Sequence, residues 1–241
     1  MRKAMLIGIA AATAASAGCG QSRAQGGGAT VQRSYQVGGF ERIEVAGPYE
    51  VEVRTGGKVS ISATGSEKLL EHTIVEVKGD RLVIHPEEKR GFFNWGRTHG
   101  STKFTVTVPS LTGAAIAGSG GISVDKVKGE RFDGAIAGSG DLNLDSLEVQ
   151  SLKLSIGGSG DVRAKSGQVR AADYNIAGSG DIDAAGVKSE TATVSIAGSG
   201  SISGHATGTA DVSIMGSGDV KLTGGATCSV SKAGSGNVVC S

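Results

Sequence analysis

The tripeptide Gly-Ser-Gly occurs seven times between Gly118 and Gly236, its first glycine at Gly118, Gly138, Gly158, Gly178, Gly198, Gly216 and Gly234. The intervals are 20, 20, 20, 20, 18 and 18 residues. The flanks repeat as well: Ile-Ala-Gly-Ser-Gly begins at Ile116, Ile136, Ile176 and Ile196, with variants at Ile156-Gly157 and Ile214-Met215. Such a fixed period is the signature of a stacked-repeat architecture, in which each unit buries its apolar face only against its neighbours.

Within a repeat the apolar period is two. Leu152, Leu154, Ile156, Val162 and Ala164 share one parity, with Gly158 and Gly160 between them, while Lys153, Ser155, Asp161 and Arg163 take the other. That is strand alternation with one buried face. Gly-Ser-Gly reads as a corner where the chain bends through conformations that only glycine adopts cheaply. Gly129, Gly167, Gly186, Gly208 and Gly224-Gly225 read as a second small-residue corner. Near-identical copies stack best with equivalent residues superposed, so the expected fold is all-β: a parallel β-helix, or solenoid, of about 18–20 residues per coil. Two buried columns follow: Ile116, Ile136, Ile156, Ile176, Ile196 and Ile214, and Ile122, Leu142, Val162, Ile182, Ile202, Val220 and Val238. With 4% aromatic residues, the core must be built from small aliphatics.

Residues 37–110 differ. Residues 31–110 hold 9 Glu and 1 Asp, and residues 111–241 hold 10 Asp and 3 Glu. Asp is a turn former and Glu is not, so the tight-cornered solenoid is expected over 111–241, with 37–110 as a less regular N-terminal β cap. Alternation persists there at Ile43/Val45, Val51/Val53, Val59/Ile61, Leu82/Ile84 and Phe104/Val106/Val108, with a helical turn only at 66–71.

The ordered set of Phe40-Glu41-Arg42-Ile43-Glu44-Val45, Tyr49-Glu50-Val51-Glu52-Val53, Leu82-Val83-Ile84, Val106-Thr107-Val108-Pro109-Ser110-Leu111 and the Gly-Ser-Gly repeats resembles the head GIN domain family of bacterial autotransporter adhesins. The resemblance covers about residues 37–240. It implies an exported, β-helical surface or periplasmic protein and carries no catalytic residues that transfer.

The N-terminus reads as an export signal over 1–18: Arg2-Lys3, then an apolar or small run from Ala4 to Ala15, too short to span a bilayer as a mature helix. Ala15-Ser16-Ala17 fits ordinary signal-peptidase cleavage. Ser16-Ala17-Gly18-Cys19 resembles the bacterial lipobox, with Ser16 where leucine is usual, and would make Cys19 an acylated N-terminus. Cysteine arithmetic favours the lipid: of Cys19, Cys228 and Cys240, an oxidising compartment pairs the last two and leaves Cys19 over. Residues 19–36 are then a flexible tether. The protein is expected in the periplasm, outer membrane or cell surface, held to the membrane by the lipid anchor only.

Aligning the final copy on the one 18 residues earlier puts Cys228 on Ala210, Cys240 on Leu222 and Lys232 on Ile214. Both cysteines then point into an open terminal coil, where a disulfide would clasp it; two reduced cysteines acting as small hydrophobes are the alternative. Four further features bear on possible sites. Gly91-Phe92-Phe93-Asn94-Trp95-Gly96-Arg97 gathers three of the chain's nine aromatics; Phe92, Phe93, Trp95 and Arg97 suit a ligand-binding loop, and the simpler alternative is a hydrophobic lid on the solenoid. Asp141, Asp161, Asp181 and Asp219, each following a Gly-Ser-Gly, are weak calcium candidates; their spacing lacks the nine-residue calcium repeat, and turn amides are the simpler partners. His72, His85, His99 and His205 have no metal-ligand spacing, so no metal or other cofactor is expected. Gly-Ser-Gly is neither a nucleophile elbow nor a phosphate loop, which need other spacings and a following helix.

Without Arg2 and Lys3 the 24 basic residues fall to 22, against 23 acidic, which argues against a nucleic-acid partner. The expectation is a non-catalytic cell-envelope protein, adhesin-like, binding an unknown surface glycan or envelope protein. The alternatives are a polysaccharide-active β-helix enzyme and a self-assembling structural β-helix.

Overall fold

A computed structural model of the chain describes residues 30–87 and 102–241. The strands in chain order are β1 (Thr30–Tyr35), β2 (Arg42–Ala46), β3 (Glu50–Thr55), β4 (Ser60–Ser66), β5 (Thr73–Lys78), β6 (Arg81–Pro86), β7 (Thr102–Val108), β8 (Gly113–Gly118), β9 (Gly121–Val124), β10 (Val127–Gly138) and β11 (Asp141–Leu144). There follow β12 (Leu147–Gly158), β13 (Asp161–Ala164), β14 (Gly167–Gly178), β15 (Ile182–Gly198), β16 (Ser201–Gly216), β17 (Asp219–Thr223), β18 (Thr227–Gly234) and β19 (Val238–Cys240). A short helix, α1 (Glu67–Glu71), follows β4.

The repeats form a parallel β-solenoid. Ile136 pairs with Ile116 on one side and Ile156 on the other, and Leu142 likewise with Ile122 and Val162. The register continues through Ile156, Ile176, Ile196 and Ile214, so both expected columns stand inside the coils. The shorter last two repeats keep it: Ile202 pairs with Val220 and Val220 with Val238.

Each coil has three walls. In the coil from Val127 to Leu144, Val127 is buried, then Phe132, Gly134 and Ile136, then Leu142 and Leu144. Inward parity switches from odd to even across Glu130, which drops out of the ladder: Gly129 pairs with Val149 and Arg131 with Ser151. Gln150 is skipped opposite Glu130, so the register between coils is kept and the chain turns a corner there with its inward parity switched. Gly-Ser-Gly makes the second corner and Asp145-Ser146 the third. The glycines expected to mark a second corner do not share one position: Gly129 lies opposite Val149 and Gly167 opposite Leu147, two different places along the coil. That corner is set by the parity switch, which needs no glycine.

The stack runs across the 110/111 boundary. β2 pairs in parallel with β6 and β8, and β3 with β7 and β9. The coil made by β2 and β3 therefore lies between a β6–β7 coil above and β8–β9 below, out of chain order. Above β6 and β7 the direction reverses: β5 is antiparallel to β6, β4 to β7 and β1 to β4. α1 adds buried Leu69 and Leu70. Tyr49 packs edge-on to Phe104 at 5.6 Å, and its hydroxyl meets Thr73 Oγ1 at 3.1 Å. β1 corrects the expected tether of 19–36, because residues 30–35 pair with β4 and half-bury Val31, Arg33 and Tyr35 on one face.

Candidate functional site

The Gly-Ser-Gly corners build a ladder from coil to coil. Ser139 N donates to Gly118 O at 2.8 Å, Ser159 N to Gly138 O at 2.9 Å, Ser179 N to Gly158 O at 2.9 Å and Ser199 N to Gly178 O at 2.9 Å. The first glycine of each corner has positive φ, +134° at Gly138 and +140° at Gly198. The second glycine is required by crowding: a Cβ on Gly160 would strike the carbonyl of Gly140 and approach Ile136 Cγ2 to 2.9 Å. The serines between them all face solvent.

Tight corners leave a flat wall beside them. Two outward rows precede each corner: Ala115, Ala135, Ser155, Asn175, Ser195 and Ser213, and Ala117, Ala137, Gly157, Ala177, Ala197 and Met215. They line a shallow groove of about 680 Å³ that runs down the solenoid, with Glu44 at its upper end. At ~4.8 Å per coil the groove is roughly 30 Å long. Among the described residues Glu44 is the only ionisable one in its lining. Met215 is 70% exposed, the largest apolar side chain left open among the described residues.

Charge returns on either side. In the row before the groove, Lys153 pairs with Asp173 at 3.7 Å. On other walls Lys128 pairs with Glu148 at 2.7 Å, Lys165 with Asp145 at 2.7 Å and Arg170 with Glu190 at 3.7 Å, each joining successive coils. Near the top, Lys103 and Arg54 bond the Glu52 carboxyl and hold it below the usual carboxylate range.

The aspartates past the corner face outward and are used by the backbone. Asp161 Oδ1 accepts from Asp181 N at 3.2 Å, Asp181 Oδ1 from Ser201 N at 2.8 Å and Asp219 Oδ1 from Asn237 N at 2.8 Å. Each carboxylate thereby caps an amide of the next coil. No group of three or more metal-ligating side chains occurs among the described residues, Asp141 included. His72, His85 and His205 stand apart and meet Glu87, Glu76 and Thr223 respectively. Cys228 and Cys240 form a disulfide, with Cα atoms 6.6 Å apart. The lipidation candidate Cys19 and the aromatic-loop residues Phe92, Phe93, Trp95 and Arg97 lie outside the described residues.

The groove has no motif that marks it, because Ala, Ser and Gly carry no reactive group. The signal was present all the same, as outward rows with no Lys, Arg, Asp or Glu from Ala115 to Met215. One interior group stands out too. Tyr174 is buried among the coils with no partner for its hydroxyl among the described residues, and burial pushes its pKa upward.

Comparison with known proteins agrees with this geometry. A family model described as "Putative auto-transporter adhesin, head GIN domain" matches residues 39–226, leaving β18 and β19 beyond the match. Among solved structures, the chain is similar to a "putative adhesin" from Bacteroides fragilis, at 25% identity and a TM-score of 0.80, covering 88% of this chain and 97% of that one. It is similar to a "putative lipid binding protein" from Parabacteroides distasonis, at 28% identity and a TM-score of 0.70, covering 88% and 98%. A "putative adhesin" from Parabacteroides merdae, 21% identical with a TM-score of 0.69 over 89% and 98%, shares the fold. No curated protein matches the chain.

Proposed function

Because the chain belongs to the head GIN domain family of adhesins, we propose that it is a non-catalytic binding protein of the bacterial cell envelope. The solenoid presents the Ala/Ser groove as its recognition face, and acylated Cys19 tethers it to the membrane. The observation that carries this reading is the groove itself: a solvent-facing wall with one ionisable residue at its end, in a chain with 20% charged residues. Uncharged, weakly hydrated surface of this extent is typical of contact sites. The solenoid supports a binding role by rigidity, since every lining residue sits on a paired strand. Asp161, Asp181 and Asp219 support a non-catalytic role, because their carboxylates are engaged by backbone amides. Among the described residues no helix is long and apolar enough to cross a membrane.

The dimensions constrain the ligand. A wall about 30 Å by 13 Å offers roughly 400 Å², half of the ~800 Å² that each partner of a stable protein complex buries. A narrow, extended ligand fits it better than another globular face does: a surface glycan chain, or one strand or loop of an envelope protein. A lipid is the second reading, favoured by the apolar lining and by the description of the Parabacteroides distasonis relative. The test is equilibrium binding of the exported protein to glycan arrays, envelope extracts and lipid vesicles. Ala137→Arg/Ala177→Arg serves as the groove variant and Trp95→Ala as the loop control. Loss of binding by at least tenfold in the groove variant, at unchanged melting temperature, is expected. Full retention of binding there would overturn the assignment.

A further inference from the structure

A second depression lies on a different wall of the solenoid from the Ala/Ser groove. Val149, Val169 and Ser189 stack in register on successive coils with their side chains turned inward, so backbone forms its floor. Long polar side chains rise on both sides. Glu148, Gln168 and Lys188 make one row, and Gln150, Arg170 and Glu190 make the other along the corner. Thr207 joins the lining one coil lower. The space is about 800 Å³, larger than that of the Ala/Ser groove. At ~4.8 Å from coil to coil it is roughly 14 Å long. Ser151 and Ala171, just past the corner, lie outside the lining.

The charges of the lining are not equally engaged. Lys128, from the coil above, bonds Glu148 at 2.7 Å, and Lys126 stands 3.9 Å from it. Glu190 meets Arg170 Nε only at 3.7 Å, between side chains 65% and 74% exposed, and such a contact is worth little in water. Among the described residues Lys188 has no ion-pair partner, and the amides of Gln150 and Gln168 make no hydrogen bond from their side chains. Arg170 and Lys188 sit on successive coils and in opposite rows, diagonally across the floor. The open charge in the middle of the depression is therefore positive, with unengaged amides beside it.

We propose that this depression is a second binding site, whose ligand is an acidic glycan, a sugar chain that carries carboxylates. Arg170 and Lys188 receive a carboxylate in charge-assisted hydrogen bonds, Arg170 through its planar fork of N–H groups. Gln150 and Gln168, which each donate and accept, and the Thr207 hydroxyl suit the hydroxyls of the sugar rings. A peptide fits less well on two counts. The floor is already paired to a coil on either side, Val169 with Val149 and with Ser189, so no strand can be added to it. Val149 and Val169 are 4% exposed, so the lining offers no apolar pocket to anchor a side chain. The site is separate from the Ala/Ser groove, whose uncharged wall does not select a carboxylate.

The test is titration calorimetry on the exported full-length protein, on Arg170→Gln/Lys188→Gln, and on Lys153→Gln/Lys165→Gln, which removes the same charge elsewhere on the coils. The probes are polygalacturonate and alginate, two uronic-acid polymers, with methyl-esterified polygalacturonate, galacturonate monomer and polyglutamate for comparison. The native protein is expected to bind both acidic polymers, less tightly as salt rises. Affinity should fall by about tenfold in Arg170→Gln/Lys188→Gln and by about tenfold for the methyl ester, with little change in Lys153→Gln/Lys165→Gln. Melting temperatures should stay equal, because the substituted side chains are exposed. Loss confined to the Arg170/Lys188 variant assigns the acidic ligand here and leaves the reading of the Ala/Ser groove untouched. Failure of the native protein to bind either acidic polymer would overturn the proposal, as would equal weakening in both variants. Polyglutamate or galacturonate monomer binding as tightly as the polymers would overturn a glycan chain as the ligand.

Discussion

Gly157→Ala and Gly160→Ala are the same chemical change three residues apart, and they should move stability in opposite directions. Gly157 stands in the outward row between Ala137 and Ala177. A Cβ there would meet only Ile136 O, at an ordinary 3.7 Å. The native backbone accepts alanine, and the loss of freedom in the unfolded chain stabilises the protein by about 0.4–1 kcal/mol. Gly160 is the second corner glycine. A Cβ there would strike Gly140 O, with Ile136 Cγ2 at 2.9 Å, and would push apart coils joined by the 3.3 Å bond from Asp161 N to Gly140 O. Backbone cannot rotate away, so overpacking costs about 1–3 kcal/mol. At about 2–4 °C per kcal/mol for a domain of this size, thermal unfolding followed by circular dichroism should show Gly157→Ala raised by roughly 1–4 °C and Gly160→Ala lowered by roughly 2–12 °C. If Gly160→Ala melts at or above the native protein, the glycine columns are not in close contact and the stacking argument fails.

Tyr174→Phe removes a buried hydroxyl without a partner and should stabilise by about 1–2 kcal/mol, read as a rise in melting temperature; a fall would mean that the hydroxyl is bonded. Millimolar calcium or a chelator should leave the melting temperature unchanged, since Asp161, Asp181 and Asp219 are occupied by amides; a calcium-dependent rise would restore Asp141, Asp161, Asp181 and Asp219 as ligands. The Glu52 carboxyl is held down first by its bond to Lys103 and then by that to Arg54, so the stability it lends is complete above the usual glutamate value of 4.5 and is lost as pH falls through the lowered one. Melting curves of the native protein and Glu52→Gln should therefore differ near neutral pH and converge in acid, and a gap that widens in acid would reverse the sign of the argument.

The repeats were legible because two regularities reinforce each other: a strict 20- or 18-residue step and an inward parity of two. Together they fix the register of Ile116 to Ile214, and through the same alignment the placement of Cys228, Cys240 and Lys232. The wall before each parity switch was harder to see, because Val127, Leu147, Val149 and Val169 bury the opposite parity and a one-residue corner leaves no marker residue. The coil of β2 and β3 was hidden by its corner. Ala46-Gly47-Pro48-Tyr49 stands where the repeats have Ala-Gly-Ser-Gly, with Gly47 at φ +122° over Gly118. Only the shared Ala-Gly announces it, and the coil's place between β6–β7 and β8–β9 depends on long-range pairing that no local pattern encodes. The groove was overlooked for a chemical reason: its signature is the lack of charge, and small side chains draw no notice one residue at a time.

The central claim is that the Ala/Ser wall is the face that meets a partner. A photo-crosslinking amino acid placed at Ala177, and separately at exposed Ser151 on a different part of the coil, tests it in living cells that export the protein. Covalent adducts from position 177 and none from position 151 are predicted. Equal adducts from both positions, or adducts from position 151 alone, would contradict it.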